Sequence, residues 1–159
     1  MFAKKDWIFH SNAVLFLFRL TCFTSTENRK RFESLVFFRY LFDINEDPIY
    51  ISAEETDYPL AYSILVHYKA HQLLHLLSAI YAPQNVYCIH VDRKSSKTFR
   101  KVLMEITGCF SNIFLANKSE DVIYASFSRL RADINCMDDL LNSSVGWKYL
   151  INLCGQVSQ

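Results

Sequence analysis

Four short apolar runs recur after Tyr58, at Leu60–His67, Val86–Val91, Asn112–Ala116 and Trp147–Cys154, with a segment of helical period between each and the next. A run such as VYCIHV shows no apolar–polar alternation, so both faces of the strand it forms must be covered. Strands buried on two sides and joined by helices build a mostly parallel sheet with flanking helices, an α/β fold. The connecting segments agree. Ala70–Tyr81 carries Leu73, Leu74, Leu76, Leu77 and Ile80 at helical spacing before Pro83-Gln84-Asn85 breaks the pattern. Ser95 or Ser96 can cap a helix running to about Thr107, with Phe99, Val102, Leu103 and Ile106 inward. Ser126–Leu141 sets Leu130, Ile134, Met137 and Leu141 on one helical face and spaces Arg129 and Asp133 one turn apart.

At 159 residues, 51% apolar and 21% charged, the chain can bury one domain's core, and disordered, collagen-like and low-complexity classes are excluded. A net charge of +1 excludes a broad nucleic-acid footprint. Glycine is scarce: 3 residues, where ordinary usage gives about 11. Neither a Walker loop nor G-x-G-x-x-G is present. A phosphate bound here has to be held by side-chain cations and helix N-termini.

Charge divides the chain into three zones: net +4 over residues 1–42, six acids and no base over 43–59, and net +3 over 60–159. That pattern reads as a basic leader over 1–24, a basic then acidic stem or linker over 25–57, and a domain over 58–159. Taken alone, the acidic stretch is solvated linker. Trp7–Phe23 is mostly apolar but interrupted by His10, Ser11, Asn12 and Arg19. It fits a marginal signal-anchor or an amphipathic or buried helix equally well, because a central Arg costs about 2.5–3.5 kcal/mol on insertion. No signal-peptide cleavage pattern of small residues stands out.

The cysteines, Cys22, Cys88, Cys109, Cys136 and Cys154, form no C-x-x-C pair, so a zinc ribbon or thioredoxin motif has no support. Composition leaves buried thiols and disulfides equally open. Two N-glycosylation sequons, Asn117-Lys118-Ser119 and Asn142-Ser143-Ser144, hint at a luminal address, although the triplet also arises by chance.

Ligands of parallel sheets bind beyond the carboxyl ends of the strands. That rule points to His67 and its neighbours, to Asp92-Arg93-Lys94 and to Gly155-Gln156. Asp92 can accept from sugar hydroxyls, or it can be an ordinary helix-entry residue; Lys94 is placed to meet a phosphate. His67, His71 and His75 would share a face on one helix, but His67 ends a strand and His71-x-x-x-His75 lacks the metalloprotease Glu. Asp138 and Asp139 are adjacent in a helix and point about 100° apart, a poor acid–base pair. Lys94 stands where a D-x-D would have its second acid, and an ammonium cannot ligate a cation.

The stretches YPLAYSILVH (58–67), AIYAPQNVYCIHVDRKS (79–95), CFSNIFLA (109–116), VIYASFSRLRADINCMDDLL (122–141) and WKYLINLCGQ (147–156) together resemble the core-2/I-branching β-1,6-N-acetylglucosaminyltransferases. The resemblance implies a GT-A-like, Rossmann-like catalytic domain on a single-pass type II Golgi membrane protein with its domain in the lumen. It implies inverting, metal-independent transfer of GlcNAc from UDP-GlcNAc to a galactose or GalNAc 6-hydroxyl of glycoprotein O-glycans or poly-lactosamine, with no cofactor. The UDP-GlcNAc contacts carry over to Leu65, Val66, His67, Asp92, Arg93, Lys94 and Tyr124. The family's strand-to-helix disulfide carries over to Cys88 and Cys136. Cys109 lacks its usual upstream partner, and Cys154 matches a cysteine usually left as a thiol. After Gln156 the family continues Asp-Phe-Pro into a second half, whereas this chain reads Val157-Ser158-Gln159. The resemblance therefore implies an incomplete half-domain without the family's catalytic Glu, acceptor site and leaving-group Arg/Lys pair, and with its last strand left as an unfinished edge. Two functional expectations follow: a C-terminally truncated transferase that keeps donor binding, or a non-catalytic membrane-associated isoform or remnant.

Overall fold

The computed structural model describes residues 51–108, 110–123 and 125–154. The leader at Trp7–Phe23, residues 43–50 of the acidic stretch, Cys22, Cys109, Tyr124 and residues 155–159 lie outside them. The described elements, in chain order, are α1 (Ala53–Asp57), β1 (Leu60–Val66), α2 (Ala70–Ile80), β2 (Val86–Val91), α3 (Lys97–Thr107), β3 (Ile113–Leu115), α4 (Phe127–Leu141) and β4 (Tyr149–Cys154). Every strand pair is parallel, in the order β3-β2-β1-β4. The α/β sheet with flanking helices that the apolar runs demand is the fold observed.

The acidic stretch differs from a plain linker, because Ser52 and Glu55 form a capping box that starts α1. The Ser52 N–H donates to the Glu55 carboxylate at 2.8 Å, and the Glu55 N–H donates to Ser52 Oγ at 3.2 Å. These bonds hold the Glu55 carboxyl below its ordinary pKa. No residue of α1 is buried, so the helix remains a solvated one.

Period-two alternation sends the side chains of the central strands to two covered faces. On one face, Ala61, Val86 and Cys88 pack with Cys136 and Leu140 of α4. On the other, Tyr62 stacks on Tyr87 at 4.9 Å, and Tyr87 stacks on Tyr81 at the end of α2. The buried Tyr87 hydroxyl donates to Ile80 O at 2.7 Å and accepts from the Ala82 N–H at 2.8 Å, which satisfies its polar atom. Asn85 and Asn112 tie the strand entrances: Leu60 N–H donates to Asn85 Oδ1, and Asn112 Nδ2 donates to Asn85 O.

The α4 register is a departure from what its apolar stripe suggests. Leu130 is 50% exposed and Leu141 70%, and Ile134 and Met137 are exposed with them. The buried face is instead Ala132, Asp133, Asn135, Cys136 and Leu140. Two polar residues are affordable there because each is paired. Arg129 Nη1 donates to both Asp133 carboxylate oxygens at 2.9 and 3.0 Å, and Ser63 Oγ donates to Asp133 Oδ1 at 3.3 Å. Asn135 Nδ2 donates to Glu120 Oε1 at 2.8 Å. Small Ala132 and the Cys88–Cys136 disulfide, with its Cα atoms 5.7 Å apart, draw this side close to the sheet. Among the described residues, no helix is long and apolar enough to cross a membrane.

The topology positions a site. The chain winds from β1 through β2 to β3 in one direction, then α4 carries it back past both strands to β4 on the other side of β1. Right-handed crossovers in opposite directions put α2 and α4 on opposite faces of the sheet. The winding reverses between β1 and β4, and the crevice beyond the strand ends at such a reversal is where doubly wound sheets bind ligands.

Candidate functional site

The tips of β1 and β2 are joined. The Asp92 N–H donates to Val66 O at 2.9 Å, and Ser95 Oγ donates to His67 O at 2.9 Å. Leu65 and Val66 are core side chains, so they offer a ligand only their backbone. His67 is exposed beyond the end of β1, with its ring edge-on to Tyr68. Lys69 follows in the left-handed region (φ 57°), which breaks the helical register between His67 and the exposed pair His71 and His75 on α2. The three histidines therefore do not share one helix. A lysine with positive φ is uncommon, and such strain persists where the surroundings impose it. The only other positive φ among the described residues is Ala125, beside Tyr124 and just before α4. Helix α2 has no side-chain cap, and of its first-turn amides the Gln72 N–H donates to Lys69 O at 3.0 Å.

Asp92 is only 6% exposed. Its Oδ1 accepts the Lys94 N–H at 2.8 Å, and its Oδ2 lies 4.0 Å from Lys94 Nζ. The acid thus both shapes the turn into α3 and faces the lysine ammonium. Ser96, the second of the two candidate caps, starts α3 by accepting the Phe99 N–H.

Arg93 and Lys94 reach across to the segment that follows β3. Arg93 Nη2 donates to Ser119 O at 2.7 Å, and its N–H donates to Glu120 O at 2.9 Å. Lys94 Nζ donates to Val122 O at 2.6 Å and lies 3.3 Å from the Asp121 carboxylate. Arg100, half-buried on α3, bridges Asp92 O at 3.2 Å and Ser119 Oγ at 3.1 Å. Sequence reading missed Arg100 and residues 119–122 as parts of this cluster. Their partners lie too far away in sequence for any local pattern to mark them. Asp138 and Asp139 do not pair as an acid–base couple: the Asp139 carboxylate instead binds Asn117 through its backbone N–H and Nδ2.

His90 anchors the same segment from below. It is fully buried, and its Nε2 accepts the Glu120 N–H at 3.0 Å, so the neutral ring carries its proton on Nδ1. Burial pushes the His90 pKa below its ordinary value of 6.5, although the Glu120, Asp92 and Asp133 carboxylates pull the other way. The unfolded chain therefore binds a proton that the native one refuses. The stabilising effect is complete above about pH 6.5 and is lost as pH falls from there through the lower native pKa. The urea midpoint is expected to be lower at pH 5.5 than at pH 7.5, and His90→Gln should narrow that gap. An unchanged gap in the variant would assign the pH dependence to other groups.

The fold is a doubly wound parallel α/β domain with Asp92-Arg93-Lys94 at the tip of β2, one strand over from the point where the winding reverses between β1 and β4. Residues 60–156 match the Core-2/I-Branching enzyme family, and the chain belongs to that family. A beta-1,3-galactosyl-O-glycosyl-glycoprotein beta-1,6-N-acetylglucosaminyltransferase of Bovine herpesvirus 4 is 56% identical over 105 residues, 66% of this chain and 24% of its own. The Bos taurus protein of that name numbered 3 is likewise 56% identical over 105 residues, covering 66% of this chain and 24% of its own. A second Bos taurus protein of that name is 58% identical over 105 residues, covering 66% and 25%. The chain spans about a quarter of the length of these relatives.

Proposed function

We propose that this chain forms the donor-nucleotide portion of a β-1,6-N-acetylglucosaminyltransferase acting on O-glycans, with UDP-GlcNAc as its sugar donor. The observation that carries the reading is that the family match spans the whole parallel sheet and includes Asp92-Arg93-Lys94 at its tip. In this reading Lys94 and Arg93 neutralise the diphosphate and no divalent metal takes part. His67 lines the crevice, and Asp92 meets the nucleoside or sugar end through its outer carboxylate oxygen. Tyr124, which lies outside the described residues, is the remaining donor contact in this reading. The matching domain sits in the Golgi lumen.

The cations must exchange partners to bind a diphosphate, and the exchange is cheap. Lys94 and Asp121 are both more than half exposed, and such surface pairs contribute at most about 1 kcal/mol. The hydrogen-bond acceptors of Arg93 Nη2 and Lys94 Nζ, Ser119 O and Val122 O, are neutral carbonyls and weaker than a phosphate oxygen, while Lys94 Nζ also faces the Asp92 carboxylate at 4.0 Å. Titrating the full chain with UDP by calorimetry should give saturable heat that a chelator leaves unchanged. Lys94→Ala should weaken binding roughly tenfold or more, the equivalent of one charge-assisted hydrogen bond. A folded chain giving no heat at millimolar UDP would sink the proposal, and loss of the heat on chelation would sink its metal-independent part.

A further inference from the structure

We propose that Asn142 carries an N-linked glycan and that Asn117 does not. The proposal rests on the luminal placement given above, and the structure adds its own support for an oxidising compartment. The Cys88–Cys136 disulfide staples β2 to α4, and such bonds persist where thiols are not kept reduced. N-glycans are added along the same secretory route, at Asn-X-Ser/Thr on exposed segments.

Both acceptor asparagines are exposed, but their surroundings differ. Asn117 is clamped by one carboxylate. Its backbone N–H donates to Asp139 Oδ2 at 2.8 Å, and its Nδ2 donates to Asp139 Oδ1 at 2.7 Å. The hydroxyl two residues on is held as well, because Ser119 Oγ accepts from Arg100 and Ser119 O accepts from Arg93. The next residue, Glu120, is fixed by His90 and by the Arg93 N–H. Drawing this sequon into a transferase would break the cluster that holds Arg93 and Arg100 in place.

Asn142 is the C-terminal cap of α4, with its sequon in the turn beyond. Its Nδ2 makes one bond, to Asp138 O at 2.8 Å, and the Ser144 hydroxyl is exposed and makes none among the described residues. The reaction forms a bond from Nδ2 to the anomeric carbon of a lipid-diphosphate oligosaccharide. The carbon–oxygen bond to the diphosphate breaks, the lipid diphosphate leaves with that electron pair, and Nδ2 gives up one proton. One N–H remains on Nδ2, and the helix cap is untouched because the Asn142 backbone N–H makes it, donating to Asp139 O and Leu140 O. The glycan emerges beside Leu141, so it covers one end of the exposed apolar face of α4 with a hydrated polymer.

Full-length chain translated with microsomes tests the proposal. A single step in electrophoretic mobility, reversed by peptide N-glycosidase, is expected. Asn142→Gln and, independently, Ser144→Ala should abolish the step; Asn117→Gln should leave it unchanged. A step that survives Asn142→Gln, or no step at all, overturns the proposal. Protease protection separates the two readings. An unshifted but protected chain refutes the glycan and spares luminal placement, whereas an unprotected chain removes both.

Discussion

Reducing the Cys88–Cys136 disulfide is expected to lower the stability of the sheet domain by about 4 kcal/mol. The bond closes a loop with a sequence separation of 48, and the chain-entropy relation for a loop of that length gives this value at 25 °C. Domains of this size are stable by only about 5–15 kcal/mol, so the loss consumes a large share of the total. In a melt it corresponds to a drop on the order of 20 °C. The Cys88→Ser/Cys136→Ser double variant, compared with the oxidised full chain by circular dichroism, should show that drop. A shift under about 5 °C would mean that the bond adds little beyond the packing already present.

The second large effect compares two neighbours on α4. Leu140 is fully buried against Ala61, Val86, Cys88 and Cys136, and Leu141 is 70% exposed. Leu140→Ala should cost about 2–5 kcal/mol, the range for a buried leucine that leaves a cavity. Leu141→Ala should stay within about 0.5 kcal/mol. Urea denaturation of both variants is sufficient. Equal costs would mean that α4 packs by its apolar stripe after all, with Leu130, Ile134 and Met137 turned toward the sheet.

That comparison also shows where reading the residues alone succeeds and where it stops. The strands were legible because burial on both faces leaves a continuous apolar run, as in VYCIHV at 86–91. The caps were legible because Ser96 supplies a local acceptor for an orphan N–H three residues on. The face of α4 was not legible. An apolar stripe marks a surface that avoids water but does not name what covers it, and the buried side is polar enough to resemble a solvated one. Asp133 and Asn135 are buried only because Arg129, Ser63 and Glu120 satisfy them, and two of those three partners come from other parts of the chain.

The candidate site divides along the same line. Asp92-Arg93-Lys94 stands out in the linear chain because a charged tripeptide directly after an apolar strand must emerge at the sheet's carboxyl edge. Its present partners do not stand out. Ser119 meets Arg93 across 26 residues and Val122 meets Lys94 across 28, distances over which no periodicity carries information. Local order here comes from hydration and backbone hydrogen bonding between near neighbours, so the chain text alone reveals strands, helices and the end of the sheet where ligands gather. The choice of buried helix face, the cradle of Arg100 and His90 around residues 119–120, and the contrast between the two asparagines came from packing of remote segments. Such contacts depend on chain crossing and mutual polar satisfaction, and those exist only once the fold has formed.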